Sequence, residues 1–154
     1  MCYTGNIYNI VCVADEAYAQ HAAVMLVSLF VNNRRNKFRI FLLSDGLSSL
    51  TKERLDILCK KFNNHIIFIE SSFDVIRHYN VGQWNFIMYA KLLTPHFLPV
   101  DIKRYLFLDV DLVVNAEIEE LYNFELEGAI IAACEDIPDC VVHKKRLGLS
   151  SEQL

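Results

Sequence analysis

The sequence predicts an α/β fold with a mostly parallel sheet, and two observations support this class. From residue 7 to residue 69, apolar runs of strand type alternate with segments whose apolar residues recur at helical spacing, in the order strand, helix, strand, helix, strand. Parallel strands cannot be joined by tight hairpins, so this alternation indicates crossover helices between parallel strands. Several of the apolar runs also end in acidic residues, at the carboxyl ends of the strands where ligands bind in such a sheet.

Local patterns predict the first five elements. The run Ile7–Ala14 is rich in β-branched residues and stops at Asp15 and Glu16, so it predicts a buried strand with carboxylates at its tip. From Ala19 onwards, apolar residues with a spacing of three and four predict a helix that ends at Asn32 and Asn33. Then follow a predicted strand over Phe38–Leu43, a turn at Ser44–Gly46, a helix that buries Leu55, Leu58, Cys59 and Phe62, and a strand over His65–Ile69.

The second half of the chain has a less regular pattern. A helix is predicted over Trp84–Leu93, and it is expected to end before Pro95 because proline lacks the N–H that a helix interior needs. Three further elements are predicted: an apolar strand over Tyr105–Asp111, a short helix around Leu121, and a buried strand over Ala129–Cys134. The acids at the strand ends are expected to share one edge of the sheet: Asp15, Asp109, Asp111 and Asp136.

Composition and charge limit the class of protein. A length of 154 residues without a linker or repeat predicts a single domain over residues 1–154. The net charge of -4 comes with scattered Lys and Arg residues, so no nucleic acid partner is expected. The five cysteines form no C-x-x-C pair, which indicates reduced thiols. No apolar run reaches the ~20 residues of a membrane span, so we expect a cytoplasmic protein, with peripheral attachment to the inner face of the membrane left open.

Asp109 and Asp111 form the strongest candidate site. Residues i and i+2 of a strand point to the same side, so the two carboxylates are predicted to lie close together. Like charges at short distance repel unless a cation lies between them, and hard oxygen ligands suit Mg²⁺ or Mn²⁺. Because the apolar run Leu112–Val114 follows, we expect at least one acid near buried surface, where an unpaired charge is costly. The pair therefore predicts a divalent metal site.

Two other motifs share this spacing of acids. A calcium loop that starts at Asp109 is excluded, because it needs a glycine where Val114 stands. A haloacid-dehalogenase-like phosphotransferase would use Asp109 as nucleophile and Asp111 as general acid. That motif normally opens its fold, whereas about two-thirds of this chain precedes it. The phosphotransferase stays open as an alternative, and so does a non-catalytic nucleotide-binding remnant.

Longer segments resemble one known family. The segment Ile10–Ala19 resembles the opening strand and helix of family 8 glycosyltransferases, the group that contains bacterial lipopolysaccharide galactosyltransferases and glycogenin. The segments Met88–Leu93 and Tyr105–Val114 resemble the central block of that family, and Ala132–Asp136 continues it. The resemblance implies a GT-A fold, which is a Rossmann-like domain that binds a UDP-sugar. It also implies metal-dependent, retaining transfer of glucose or galactose to a saccharide acceptor, with lipopolysaccharide as the acceptor known from bacterial relatives.

The resemblance implies nucleotide-binding roles at the end of the first strand. Asp15 would accept a hydrogen bond from the uracil ring. Tyr18 would stack on that ring, because an aromatic face suits a planar base, and a core aromatic at the helix start is the alternative. Ala14 lies where the backbone would approach the base.

The resemblance also implies the metal and donor-sugar positions. Asp109 and Asp111 would bind Mn²⁺ or Mg²⁺ that bridges the diphosphate, with Val110 between them in the same donor-binding segment. Lys91 and Asp136 would act as catalytic residues near the donor sugar, and Lys91 stands where many relatives carry an arginine. In the family, a second half of the domain supplies a histidine as third metal ligand. We therefore expect a chain truncated at its C-terminal side, with little or no transfer activity by itself.

Overall fold

A computed structural model of the chain describes residues 7–70 and 86–133. Its strands are β1 (Ile7–Val13), β2 (Lys37–Ser44), β3 (His65–Glu70) and β4 (Leu106–Phe107). Its helices are α1 (Ala19–Asn32), α2 (Ser49–Lys61), a 3₁₀ helix (Phe86–Leu93), α3 (Thr94–Phe97) and α4 (Glu119–Tyr122). These elements belong to one compact unit within residues 1–123, and residues 124–133 belong to a second unit. The single domain expected over residues 1–154 stays a prediction.

The four strands form one parallel sheet in the order β3, β2, β1, β4. β1 pairs with β2 along its whole length, and β2 pairs with β3 from Arg39 to Ser44. β4 pairs with β1 only where Leu106 lies opposite Ile10 and Phe107 lies opposite Val11. Because the central strands β1 and β2 are covered on both faces, their sequences are almost continuously apolar.

Side chains of β1 alternate between two apolar clusters on opposite faces of the sheet. Ile10 and Cys12 pack in the cluster that contains Leu26 and Phe30 of α1, and all four side chains are buried. Val11 packs in the opposite cluster together with Ala90 of the 3₁₀ helix. The helices α1 and α2 therefore cover one face, and the 3₁₀ helix lies against the other.

Two cysteines of the described residues lie in the core. Cys12 and Cys59 are free and buried. Burial raises the pKa of each thiol to about 12, because an apolar surrounding disfavours the thiolate. Both agree with the interpretation of the cysteines as reduced thiols.

The first five elements lie where the sequence predicts them, and α4 contains Leu121 as expected. The helix predicted to end at Leu93 does end there, although it is a 3₁₀ helix. The 3₁₀ helix leads directly into α3, where Pro95 occupies the first turn. A proline is tolerated there because the first N–H groups of a helix have no intrahelical acceptor.

Two predicted strands differ in the structure. The strand expected over Tyr105–Asp111 is reduced to β4, because the chain turns away from β1 at Val110 and Asp111. The described part of the strand expected over Ala129–Cys134 has no strand conformation, and Ile130 is 98% exposed. An apolar run predicts burial only where a sheet or a helix is available to cover it. Among the described residues, no helix is both long and apolar enough to span a membrane.

Candidate active site

The carboxyl ends of the four strands meet at one edge of the sheet because all strands are parallel. Asp15 follows the end of β1, and Asp109 and Asp111 follow the end of the neighbouring strand β4. The acids of both strands thus lie at the edge that the sequence predicted. Asp136 lies outside the described residues.

The turn that carries Asp109 and Asp111 shows a strict alternation of burial. Leu108 is 8% exposed and Val110 is 7% exposed, and both pack in the cluster below α1 and α2. Asp109 and Asp111 are exposed, so both carboxylates lie on the solvent side of the turn. The expectation that at least one of the two acids is near buried surface is wrong, because both are exposed and the side chain of Asp109 is 61% exposed. The apolar neighbours anchor the backbone of the turn, while the acids themselves stay hydrated.

Lys91 is brought to this turn by the 3₁₀ helix. Its Nζ lies 3.3 Å from Oδ1 of Asp109. The same ammonium group lies 5.3 Å from the ring centroid of Phe107 in β4, a cation–π distance. Two predicted site residues are therefore in contact, although 18 positions separate them in sequence. Phe107 was not predicted as a site residue, because its apolar strand context indicates only a core position.

The segment between β1 and α1 carries the predicted nucleotide-binding residues. Ala14 is buried, and its N–H donates to the carbonyl of Leu43 over 3.1 Å. Oδ1 of Asp15 accepts a hydrogen bond from the backbone N–H of Tyr18 over 2.9 Å. The Tyr18 side chain is 49% exposed, and its ring centroid lies 5.3 Å from that of His21. Tyr18 is therefore not the core aromatic that the sequence left open as an alternative.

Glu16 attaches this segment to the start of α2. Its carboxylate accepts hydrogen bonds from Thr51 Oγ1 over 2.6 Å, from Ser48 N over 2.9 Å and from Ser48 Oγ over 2.9 Å. These bonds, that from Thr51 first, hold the pKa of Glu16 below its usual value. Ser48 is also the N-cap of α2. This contact had no sequence signal, because the partners lie more than 30 residues apart.

Polar side chains at the end of α1 hold the chain that follows the acidic turn. We call Ser28, Asn32 and Asn33 the α1 clamp. Ser28 Oγ accepts from Val114 N over 2.9 Å, and Asn32 Nδ2 donates to the carbonyl of Val114 over 2.9 Å. Oδ1 of Asn33 accepts from Ile118 N over 2.9 Å. The sequence indicated only that the two asparagines end a helix. In the structure their side chains also form hydrogen bonds with the backbone of a segment more than 80 residues away.

The donor set at the acidic turn fits a magnesium or manganese ion. Both ions are commonly bound by one or two carboxylates, with water and substrate phosphates completing the coordination. Asp109 and Asp111 supply two such carboxylates, and both are exposed at the turn. Within residues 7–70 and 86–133, no group of three or more His, Cys, Asp or Glu residues could hold a metal by itself.

Comparison of the whole sequence with known families identifies the family of this chain. Residues 9–153 match the sequence model of Glycosyl transferase family 8. The chain belongs to this family. The match covers the β1 end, Lys91 and the acidic turn together, and it confirms the resemblance seen in the sequence.

Curated relatives are longer than this chain. The chain is 28% identical over 134 residues to General stress protein A of Bacillus subtilis (strain 168), which covers 85% of this chain and 47% of that protein. It is 24% identical over 135 residues to lipopolysaccharide 1,2-glucosyltransferase of Escherichia coli (strain K12), which covers 87% of this chain and 40% of that protein. The chain thus spans less than half the length of either relative.

Solved structures show the same fold. A crystal structure of galactosyltransferase LgtC in complex with donor and acceptor sugar analogs superimposes with a TM-score of 0.69 at 22% identity, covering 77% of this chain and 43% of that one. Mouse xyloside xylosyltransferase 1 matches with a TM-score of 0.55 at 18% identity, covering 76% of this chain and 47% of that one. The predicted α/β fold of GT-A type is confirmed.

Proposed function

We propose that this family 8 chain is the nucleotide-sugar-binding part of a metal-dependent, retaining glycosyltransferase. The observation that carries the proposal is the pair of exposed carboxylates of Asp109 and Asp111 in a turn at the carboxyl edge of the sheet. The ammonium group of Lys91 lies beside them. Family membership and the names of the relatives support transfer of a sugar.

The acidic turn and Lys91 would bind the charged part of the donor. Asp109 and Asp111 would hold Mn²⁺ or Mg²⁺, with Val110 anchoring the turn in the core. The bound ion would act as a Lewis acid that offsets the charge on the departing UDP. Lys91 would add a positive charge near the diphosphate and the sugar, and this is the catalytic role that we assign to it. Asp136 would contact the donor sugar, and this assignment rests on the family resemblance alone.

The segment after β1 would bind the base of a UDP-sugar. The ring of Tyr18 is exposed at the start of α1 and would stack on uracil. Asp15 would accept a hydrogen bond from the uracil ring, and its orientation is set by the bond from Tyr18 N. Ala14 is buried directly before them. Its backbone would approach the base, and this assignment rests on the family resemblance alone.

The identities of the donor sugar and of the acceptor are proposals that rest on the relatives alone. We propose glucose or galactose as the transferred hexose and a saccharide, such as lipopolysaccharide, as the acceptor. A cytoplasmic location, with or without peripheral attachment to the membrane, suits such a donor. Because residues 9–153 match a glycosyltransferase family, no observation favours the phosphotransferase alternative.

Titration calorimetry with UDP and Mn²⁺ tests this function on the 154-residue chain. We expect the wild type to take up Mn²⁺ and, with Mn²⁺ present, UDP. Asp109→Asn and Asp111→Asn should lose both, because each removes a charged ligand of the ion. Glu53→Gln, an exposed acid on α2, is the matched control and should bind as the wild type does.

Two results would contradict the proposal. One is a wild-type chain that binds neither Mn²⁺ nor UDP, and the other is UDP binding that persists unchanged in both aspartate variants. Covalent trapping of Asp109 by beryllofluoride would instead support phosphoryl chemistry. Metal and UDP binding without any sugar transfer, in a protein extended to the length of its relatives, would support the non-catalytic nucleotide-binding module.

A further inference from the structure

The ammonium group of Lys91 has two partners on one short stretch of chain. Oδ1 of Asp109 lies 3.3 Å from Nζ, and the centroid of the Phe107 ring lies 5.3 Å from it. Phe107 is half-buried and packs in the cluster on the 3₁₀-helix face of the sheet, so its ring position is set by the core. The lysine side chain is 40% exposed, and that of Asp109 is 61% exposed. One partner of the ammonium is thus an exposed charge, and the other is a ring fixed by packing.

The contact with Asp109 uses the carboxylate that the proposed metal site needs. An ion bound by Asp109 and Asp111 would lie within a few ångströms of Nζ, and two cations at that distance repel each other. The divalent ion and the ammonium would therefore compete for the carboxylate of Asp109. The ring of Phe107 does not titrate and does not bind a hard metal ion, so its attraction for the ammonium persists after the exchange.

We propose that Lys91 and the divalent ion compete for Asp109, and that Phe107 is a positioning residue that keeps the displaced ammonium at the site. In this arrangement the ammonium group of Lys91 neutralises the charge of the Asp109 carboxylate in the metal-free chain. After the ion binds, Lys91 is available to the anionic part of the donor while Phe107 retains it nearby. The inference rests on the proposed function and adds an order of events to it.

The competition predicts opposite effects of one substitution on two ligands. Lys91→Met removes the competing charge and keeps the aliphatic length, so Mn²⁺ alone should bind about three- to tenfold more tightly, given the modest strength of exposed ion pairs. With saturating Mn²⁺, the same variant should bind UDP about three- to tenfold more weakly, because a cation near the diphosphate is lost. Lys91→Arg keeps the charge and should stay close to the wild type for Mn²⁺.

Phe107 is tested by a pair of variants that differ in the ring. Phe107→Leu keeps an apolar side chain in the cluster and removes the ring, so UDP binding in saturating Mn²⁺ should weaken by about two- to fivefold. Phe107→Tyr keeps the ring and should bind UDP as the wild type does. Thermal unfolding of each variant checks that the fold is retained.

Calorimetry with MnCl₂ alone, followed by UDP in saturating MnCl₂, measures all of these values without any turnover. Tighter Mn²⁺ binding together with weaker UDP binding in Lys91→Met supports the inference. Equal or weaker Mn²⁺ binding in a folded Lys91→Met chain overturns it while leaving the proposed function intact. UDP affinity in folded Phe107→Leu equal to that in Phe107→Tyr overturns the role of Phe107. A wild-type chain that takes up no Mn²⁺ overturns the inference and the proposed function together.

Discussion

Asn33→Ala is the substitution whose effect on the free energy of unfolding the structure defines best. Asn33 is 2% exposed and belongs to the α1 clamp. Its Oδ1 accepts from Ile118 N over 2.9 Å, and its Nδ2 donates to the carbonyls of Leu29 over 2.9 Å and Ala116 over 3.2 Å. Alanine removes all three bonds, and the buried N–H of Ile118 loses its acceptor. The segment that follows the acidic turn then has a weaker attachment to α1.

The expected loss of stability follows from these contacts. A buried donor left without a partner costs about 1–3 kcal/mol, and each of the other two bonds contributes about 0.5–1.5 kcal/mol. Since such contributions are not additive, we expect the free energy of unfolding to fall by about 3 kcal/mol. Asn32→Ala is the matched control, because Asn32 is exposed and water can replace its bonds to Ser28 and Val114. We expect Asn32→Ala to cost about 0.5–1 kcal/mol.

Urea unfolding followed by far-UV circular dichroism measures both variants under identical conditions. The slope of the transition should stay that of the wild type, which makes the two free energies comparable. If Asn33→Ala were no less stable than Asn32→Ala, the argument from buried hydrogen bonds would be wrong. The interpretation of the α1 clamp as the attachment of the chain after the acidic turn would then fail as well.

Two further predictions concern the segment between β1 and α1. The hydrogen bonds from Thr51 and Ser48 lower the pKa of Glu16 below 4.5, so their stabilisation is present at neutral pH and is lost as the pH falls below 4.5 through the folded-state pKa. The melting temperature should therefore fall more steeply between about pH 5 and about pH 3 in the wild type than in Glu16→Gln. Parallel curves of melting temperature against pH for the two proteins would contradict this role of Glu16. Tyr18→Ala should weaken UDP binding in Mn²⁺ by about 1–3 kcal/mol by calorimetry, because one base-stacking contact is lost. Tyr18→Phe keeps the ring and should bind normally, and an equal loss in both variants would exclude stacking.

The elements of the first half were predictable because their signals are local. The middle parts of β1 and β2 are buried on both faces, so each strand appears in the sequence as an almost continuous apolar run. α1 has one buried face, so its apolar residues recur at helical spacing. Alternation of the two patterns then leaves few arrangements other than a parallel sheet.

The sequence predictions were wrong where a strand depends on contacts with residues that are distant in sequence. The run at Ala129–Ala133 is as apolar as a buried strand, yet these residues are exposed in the structure. The strand that leads to Asp109 is short because the chain turns at Val110, and no local pattern indicates that turn. Periodicity reports which residues can be buried, but a strand also needs a neighbour that completes its hydrogen bonds.

The sequence by itself determined the α/β class and the order of the first elements, because residue type and short-range spacing are sufficient for these. Acids at strand ends predicted Asp15, Asp109 and Asp111 as candidate residues, whereas Lys91 was predicted from the family resemblance. Only the tertiary structure decided that Lys91 reaches Asp109 over the ring of Phe107, and that both acids of the turn are exposed. It also decided that Glu16 and the α1 clamp hold the two segments next to the candidate site. Such contacts join positions far apart in sequence, and their geometry exists only after the sheet and its helices have packed.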